Sequence, residues 1–114
     1  MIKLYGIPNC DTMKKARRWL DDNGVEYSLH DYKKLGVPEE NLQRWVKQAG
    51  WEGLLNKRGT TWRRLDDSVR DGIDAASAIS IMLEHPSIIK RPVIESGKTL
   101  LIGFDQNEFR KLLS

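Results

Sequence analysis

A cysteine attacks and exchanges disulfides as its thiolate, so its chemistry depends on where the sulfur sits. This chain of 114 residues has one cysteine, Cys10, in the stretch YGIPNCDTMKKARRWLDDNG that runs from Tyr5 to Gly24. A single thiol excludes an internal disulfide, so an exchange begun at Cys10 must be completed by a thiol from another molecule. Residue type alone leaves two readings open: a placed nucleophile, or a small buried apolar residue.

The elements around Cys10 decide how its sulfur is presented. Ile2-Lys3-Leu4-Tyr5 alternates like a short strand. Asp11 is then a good N-cap, and Met13, Ala16 and Leu20 recur at helical spacing with Trp19 beside them and most charges opposite. Gly24 supplies the left-handed residue that ends such a helix. Cys10 therefore falls at a helix start, where free N–H groups and the helix dipole favour an anion. Lys14, one turn on, adds to that effect, adjacent Asp11 opposes it, and Pro8 stiffens the approach. Val25 to Asp31 alternates again, which completes a β-α-β unit with parallel strands and a right-handed crossover.

Further on, Pro38-Glu39-Glu40 opens a helix whose apolar face is Leu42, Trp45, Val46 and Ala49. Residues 51–65 show no clear period. Ile73 to Leu83 is apolar nearly all round, with Ala76, Ile79 and Leu83 at helical spacing, and predicts a well-buried helix stopped by His85-Pro86. Pro92 to Glu95, the turn Ser96-Gly97-Lys98 and Thr99 to Ile102 predict a β-hairpin. Phe104, Phe109, Leu112 and Leu113 predict a closing helix after Asp105. The fold class is α/β: β-α-β, then helices, then β-β-α, which is the thioredoxin-like plan with a mixed four-stranded sheet. It makes a single domain, with a core over about residues 1–32 and 87–114 and a helical insertion over about residues 33–86.

Other residues bear on chemistry. Lys57, Arg58, Arg63 and Arg64 lie within eight residues free of acids, either as a solvated surface or as a site for a carboxylate or oxyanion. Trp62 among them is too little to specify nucleic acid, and the net charge of +3 is mild and interspersed. Arg91-Pro92 would open an inner strand with a proline, where a cis bond makes a deliberate turn. His30 and His85 have no ligand spacing with Cys10, so no metal site is expected. No stretch is long enough to span a membrane, and Met1 to Tyr5 reads as a strand rather than a signal peptide. Together with the lone cysteine, this predicts a cytoplasmic protein without membrane partners.

Three ordered motifs, YGIPNCDTMKKARRWL, LLNKRGTTWRRL and RPVIESGKTLLIGF, cover essentially the whole chain. Together they resemble the arsenate reductase (ArsC)/Spx superfamily, most closely its YffB-like branch. The resemblance implies a thioredoxin-like fold with a helical insertion. It also implies that Cys10 is the active-site thiol, Arg58 and Arg91 the anion-contacting arginines, and Pro92 the cis-proline. The branch implies a glutathione-dependent thiol-disulfide reductase, with glutathione as cosubstrate, an oxidised thiol as substrate and no bound cofactor. Lys14 joins Arg58, Arg91 and Pro92 in the substrate- and glutathione-binding set. The chain departs from the arsenate reductases in two places: Gly6 stands where they carry a histidine, and Ile102-Gly103-Phe104 where they carry a third arginine. It departs from dithiol Spx regulators by Met13 in place of a second cysteine. The alternatives are an arsenate reductase-like enzyme, or a non-catalytic Spx-like regulator that contacts the transcription machinery.

Overall fold

A computed structural model describes residues 2–113. The elements are β1 (Ile2–Gly6), α1 (Asp11–Asp22), β2 (Tyr27–Asp31), α2 (Tyr32–Leu35), α3 (Glu39–Ala49), α4 (Trp51–Leu54), α5 (Thr60–Arg63), α6 (Asp67–Asp71), α7 (Ala75–Glu84), β3 (Val93–Ser96), β4 (Thr99–Ile102) and α8 (Gln106–Phe109). Single 3-10 turns occupy Pro86–Ile88 and Arg110–Leu113. The chain divides into two compact units, Met1–Leu35 with Arg91–Ser114, and Gly36–Lys90.

The first unit holds the sheet, in the order β2-β1-β3-β4. β1 and β2 are parallel, while β3 runs antiparallel to both β1 and β4. This is the thioredoxin-like α/β arrangement that the element order predicts. Alternation along β1 sends Leu4 to one face, where it joins Met13, Ala16 and Leu20 of α1, Ile94, Leu101 and Phe109 in one buried cluster. Tyr5 faces the other way and gives its hydroxyl proton to Glu95 Oε1 at 2.8 Å. The Tyr5 ring lies 5.2 Å from that of His30, its partner in the β1–β2 register. The buried Tyr32 closes the same group, with its ring 6.0 Å from His30. Burial first, then the nearby Tyr5 and the Glu95 carboxylate, push the Tyr32 phenol far above the usual tyrosine range. Tyr32 therefore stays neutral.

Three local readings need correction. Asp11 is the first residue of α1, and the N-cap is Cys10 itself. The second strand starts at Tyr27, because Gly24 at φ +65° and a bond from Val25 N–H to the Leu20 carbonyl (2.9 Å) still belong to the end of α1. The hairpin loop contains Gly97 and Lys98 only, with Ser96 paired to Thr99.

The second unit is helical. α3 packs on α7, and Leu42, Trp45, Leu54, Ala78, Ile81, Met82, Ile88 and Ile89 are buried there. The stretch without a period is two short helices, α4 and α5. In α7 the buried residues are Ala78, Ile81 and Met82, not the Ala76–Ile79–Leu83 row. A helix with little polar contrast between its faces does not show in sequence which one it buries. Its start is clear in physical terms: the Asp74 carboxylate accepts Ser77 N–H at 2.9 Å, and Ser77 Oγ accepts Asp74 N–H at 2.9 Å.

Candidate active site

β1 ends at Gly6, and Ile7-Pro8-Asn9 carries the chain to Cys10. Cys10 has extended backbone (φ −137°, ψ 155°), and its carbonyl accepts the Lys14 N–H at 3.0 Å, which starts α1. Its side chain takes no part in capping. The thiol is half-buried against the rim of the core cluster. The sulfur therefore stands at a helix start whose first N–H groups no side chain of the N-cap satisfies. The residue is a partly open thiol rather than a core residue such as Met13, which has no exposed surface.

The β1–β3 register pairs Tyr5 with Val93. It thereby brings the Arg91-Pro92 peptide to the end of the sheet from which the Cys10 loop leaves. That peptide bond is cis, Pro92 is buried and Arg91 is half-exposed. The Pro92 carbonyl is occupied by Gly103 N–H at 2.8 Å. The aliphatic stem of Arg91 comes within 3.6 Å of where a Cβ on Gly6 would stand, so Arg91 rises over the end of β1. Lys14 is exposed on the first turn of α1, and with Asp11, Lys15 and Arg18 it lines a cavity of about 210 Å³. Cys10, Lys14, Arg91 and Pro92 thus belong to one unit.

Arg58 belongs to the other. Its loop is fixed from both sides: Arg58 N–H donates to Asn56 Oδ1 at 3.0 Å, and its carbonyl accepts Arg63 Nη2 at 3.0 Å. The Lys57 ammonium lies over two indole rings, 5.6 Å from Trp51 and 5.4 Å from Trp62. Arg58 itself is exposed. Sequence reading singled out Arg58 but not the Trp51–Lys57–Trp62 stack beside it. It also passed over Lys15 and Arg18, whose signal is the spacing K-K-x-x-R, one turn of helix.

Among the described residues, no group of three or more His, Cys, Asp or Glu side chains is gathered as metal ligands. No helix among them is long and apolar enough to cross a membrane.

Residues 5–112 match the ArsC family. An uncharacterized protein of Haemophilus influenzae is 46% identical over 110 residues, 96% of each chain. The global transcriptional regulator Spx of Streptococcus mutans is 28% identical over 115 residues, 99% of this chain and 83% of its own. Among solved structures, the YffB (PA3664) protein is 48% identical and covers all of both chains with a TM-score of 0.96. An arsenate reductase (ArsC) related protein from Brucella melitensis is 51% identical over 96% of this chain and 92% of its own, with a TM-score of 0.79. The family match takes in the Cys10 loop, the Arg58 loop and the cis-proline hairpin together. The chain belongs to the ArsC family, in its YffB-like branch.

Proposed function

We propose that the protein is a glutathione-dependent thiol-disulfide reductase working through a single nucleophile, Cys10. The observation that supports this most is the half-open Cys10 thiol at the start of α1, in a chain with no second cysteine to resolve it. The Cys10 thiolate attacks the glutathione sulfur of a mixed disulfide R–S–S–G. The S–S bond breaks, R–S⁻ leaves and takes a proton, and Cys10 carries the glutathione. A second glutathione thiolate attacks that new disulfide, which frees Cys10 and forms glutathione disulfide. In the net exchange the R sulfur passes from disulfide to thiol and the sulfur of the second glutathione from thiol to disulfide, while the sulfur of the first glutathione stays at the disulfide level throughout. Arg91 is the partner for one of glutathione's carboxylates. Lys14 adds positive charge near the sulfur.

The test is turnover of the mixed disulfide of glutathione and 2-mercaptoethanol with glutathione present. The parent turns it over and Cys10→Ser does not. Equal rates for the two proteins overturn the reading.

Two other readings have support of their own. The Brucella melitensis neighbour is named as arsenate reductase related, and arsenate turnover would favour that chemistry. Against it, Met13 fills the space beside Gly6 where the resemblance places a histidine in the arsenate reductases. Similarity to Spx along nearly the whole chain supports a partner-binding regulator, which would bind its partner without turnover.

A further inference from the structure

We propose that the groove along α1, leading from the Cys10 end toward Phe104, docks the protein whose disulfide is reduced. It selects a segment with carboxylates near its own cysteine and an apolar side chain beyond them. This rests on the reductase reading above and names its substrate class.

Two cavities make the groove. The first, at the start of α1, is the one of about 210 Å³ lined by Asp11, Lys14, Lys15 and Arg18. The second, of about 450 Å³, shares Lys15 and Arg18 as walls and adds Trp19, Asp22, Phe104 and Gln106. Asp11 follows Cys10 directly, so the first cavity begins one residue along the chain from the nucleophile, at the same end of α1. Among the described residues, Lys14, Lys15 and Arg18 form no ion pair, with Asp11 and Asp22 or with any other carboxylate. Three unpaired cations against one carboxylate favour acidic groups at this end, whereas Asp22 offsets the cations at the far end.

The far end has an apolar floor. Trp19 and Phe104 are half-exposed, and each packs edge-on against buried Phe109, with centroids 5.4 Å and 4.9 Å away. Rings held this way make a fixed surface rather than a mobile one. Nine residues of helix put Trp19 roughly 13 Å along α1 from Cys10. Glutathione is a polar tripeptide with no apolar side chain to lay on that floor. A protein segment continuing past its cysteine has one.

The test uses the full chain and three glutathionylated cysteine peptides. One has two Glu beside the Cys and a Leu several residues on. The second has Lys for Glu, and the third has Ser for Leu. The first peptide should show kcat/KM about threefold to tenfold above each of the others, the worth of one or two partly exposed contacts. The gap to the Lys peptide should shrink as salt rises. In Lys15→Glu/Arg18→Glu that gap closes or inverts, while turnover of the glutathione–mercaptoethanol disulfide stays at the parent rate. Equal rates for all three peptides, with the small disulfide turned over normally, overturn the groove and leave the reductase reading standing. Loss of small-disulfide turnover in the parent overturns the reductase reading instead. The groove is then judged by binding of the same peptides, unglutathionylated, to Cys10→Ser through tryptophan fluorescence. The acidic peptide should bind tighter by the same factor, and equal binding rejects the groove.

Discussion

A Cβ placed on Gly6 would stand 2.6 Å from Met13 Sδ and 2.9 Å from Met13 Cε, so one volume at the end of β1 is claimed by residues 6 and 13 together. Met13 is fully buried, so its thioether cannot simply swing into solvent. Gly6→Ala should therefore cost about 1–3 kcal/mol, the usual range for overpacking. In a Met13→Ala background, where the space is vacated, the same change should cost less. Urea unfolding of the four proteins gives the coupling. Additive costs would mean that the two residues do not share the space. Gly6→His, the change that restores the arsenate reductases' histidine, should destabilise the parent more than Gly6→Ala does.

Arg91 and Arg58 differ in setting, and the difference predicts unequal effects. Arg91 has its stem laid over the end of β1, whereas Arg58 is exposed on a loop of the other unit. Arg91→Lys keeps the charge and loses the planar fork, so glutathione affinity should fall on the order of 1–2 kcal/mol. Arg58→Lys should lose less. Calorimetric titration of both variants decides. Parent-like affinity in both would assign the arginines to the solvated surface.

What could be read in the sequence divides along physical lines. The strands and α1 alternate or recur with strong polar contrast, so Ile2 to Tyr5 was legible as a strand and Met13, Ala16 and Leu20 as one face of α1. The place of Cys10 at the start of α1 was legible because position in a β-α junction is itself a signal, whereas the cis form of Arg91-Pro92 was implied by the family resemblance. The buried face of α7 was not, since Ala, Ile, Met and Leu surround most of that helix. Contacts made by long side chains across short, irregular segments left no period either. Lys57 between Trp51 and Trp62 is an example: a lysine near two tryptophans is ordinary in sequence, and only the path of the chain from α4 to α5 stacks them.

That stack predicts a measurable signal. Each contact of Lys57 with an exposed-side indole contributes about 0.5–1 kcal/mol. Lys57→Met keeps the aliphatic stem and removes the charge. It should lower stability by roughly 1–2 kcal/mol, the sum of the two contacts, and shift the tryptophan emission, while Lys57→Arg restores both. An unchanged emission spectrum in Lys57→Met would mean that the ammonium does not sit on the rings in solution.

The Asp74 cap predicts a pH dependence. Hydrogen bonds from Ser77 backbone and side chain hold the Asp74 carboxyl below its ordinary value. A depressed folded-state pKa gives stability that is fully present above the unfolded value, about pH 4, and lost as pH falls through the folded value. Asp74→Ala should thus lower Tm at pH 7, and the gap to the parent should narrow below about pH 4. A gap that stays constant down to pH 2 would show that the charged carboxylate is not what caps α7.

The lone thiol makes the sharpest prediction about mechanism. Incubated with glutathione disulfide, the parent should gain one glutathione on Cys10 and hold it until a second thiol arrives, because no other sulfhydryl exists in the chain. Met13→Cys puts a second sulfur three residues on, in the first turn of α1, with the spacing of dithiol oxidoreductases. Met13 has no exposed surface, so the new thiol is shielded from glutathione in solution and reacts with its tethered neighbour first. Tethering raises its effective concentration well above that of free glutathione. The variant should therefore lose the adduct and form an internal disulfide, read directly by intact mass. The cost of cutting Met13 back in the core, about 2–5 kcal/mol for truncation to Ala and less for Cys, is checked by circular dichroism on the same samples. A folded parent that takes up no glutathione would remove Cys10 from this exchange and leave partner binding as the leading role. A folded variant that keeps its glutathione would show that the sulfur at residue 13 cannot reach Cys10, and that the buried position fits a core side chain and not a resolving thiol.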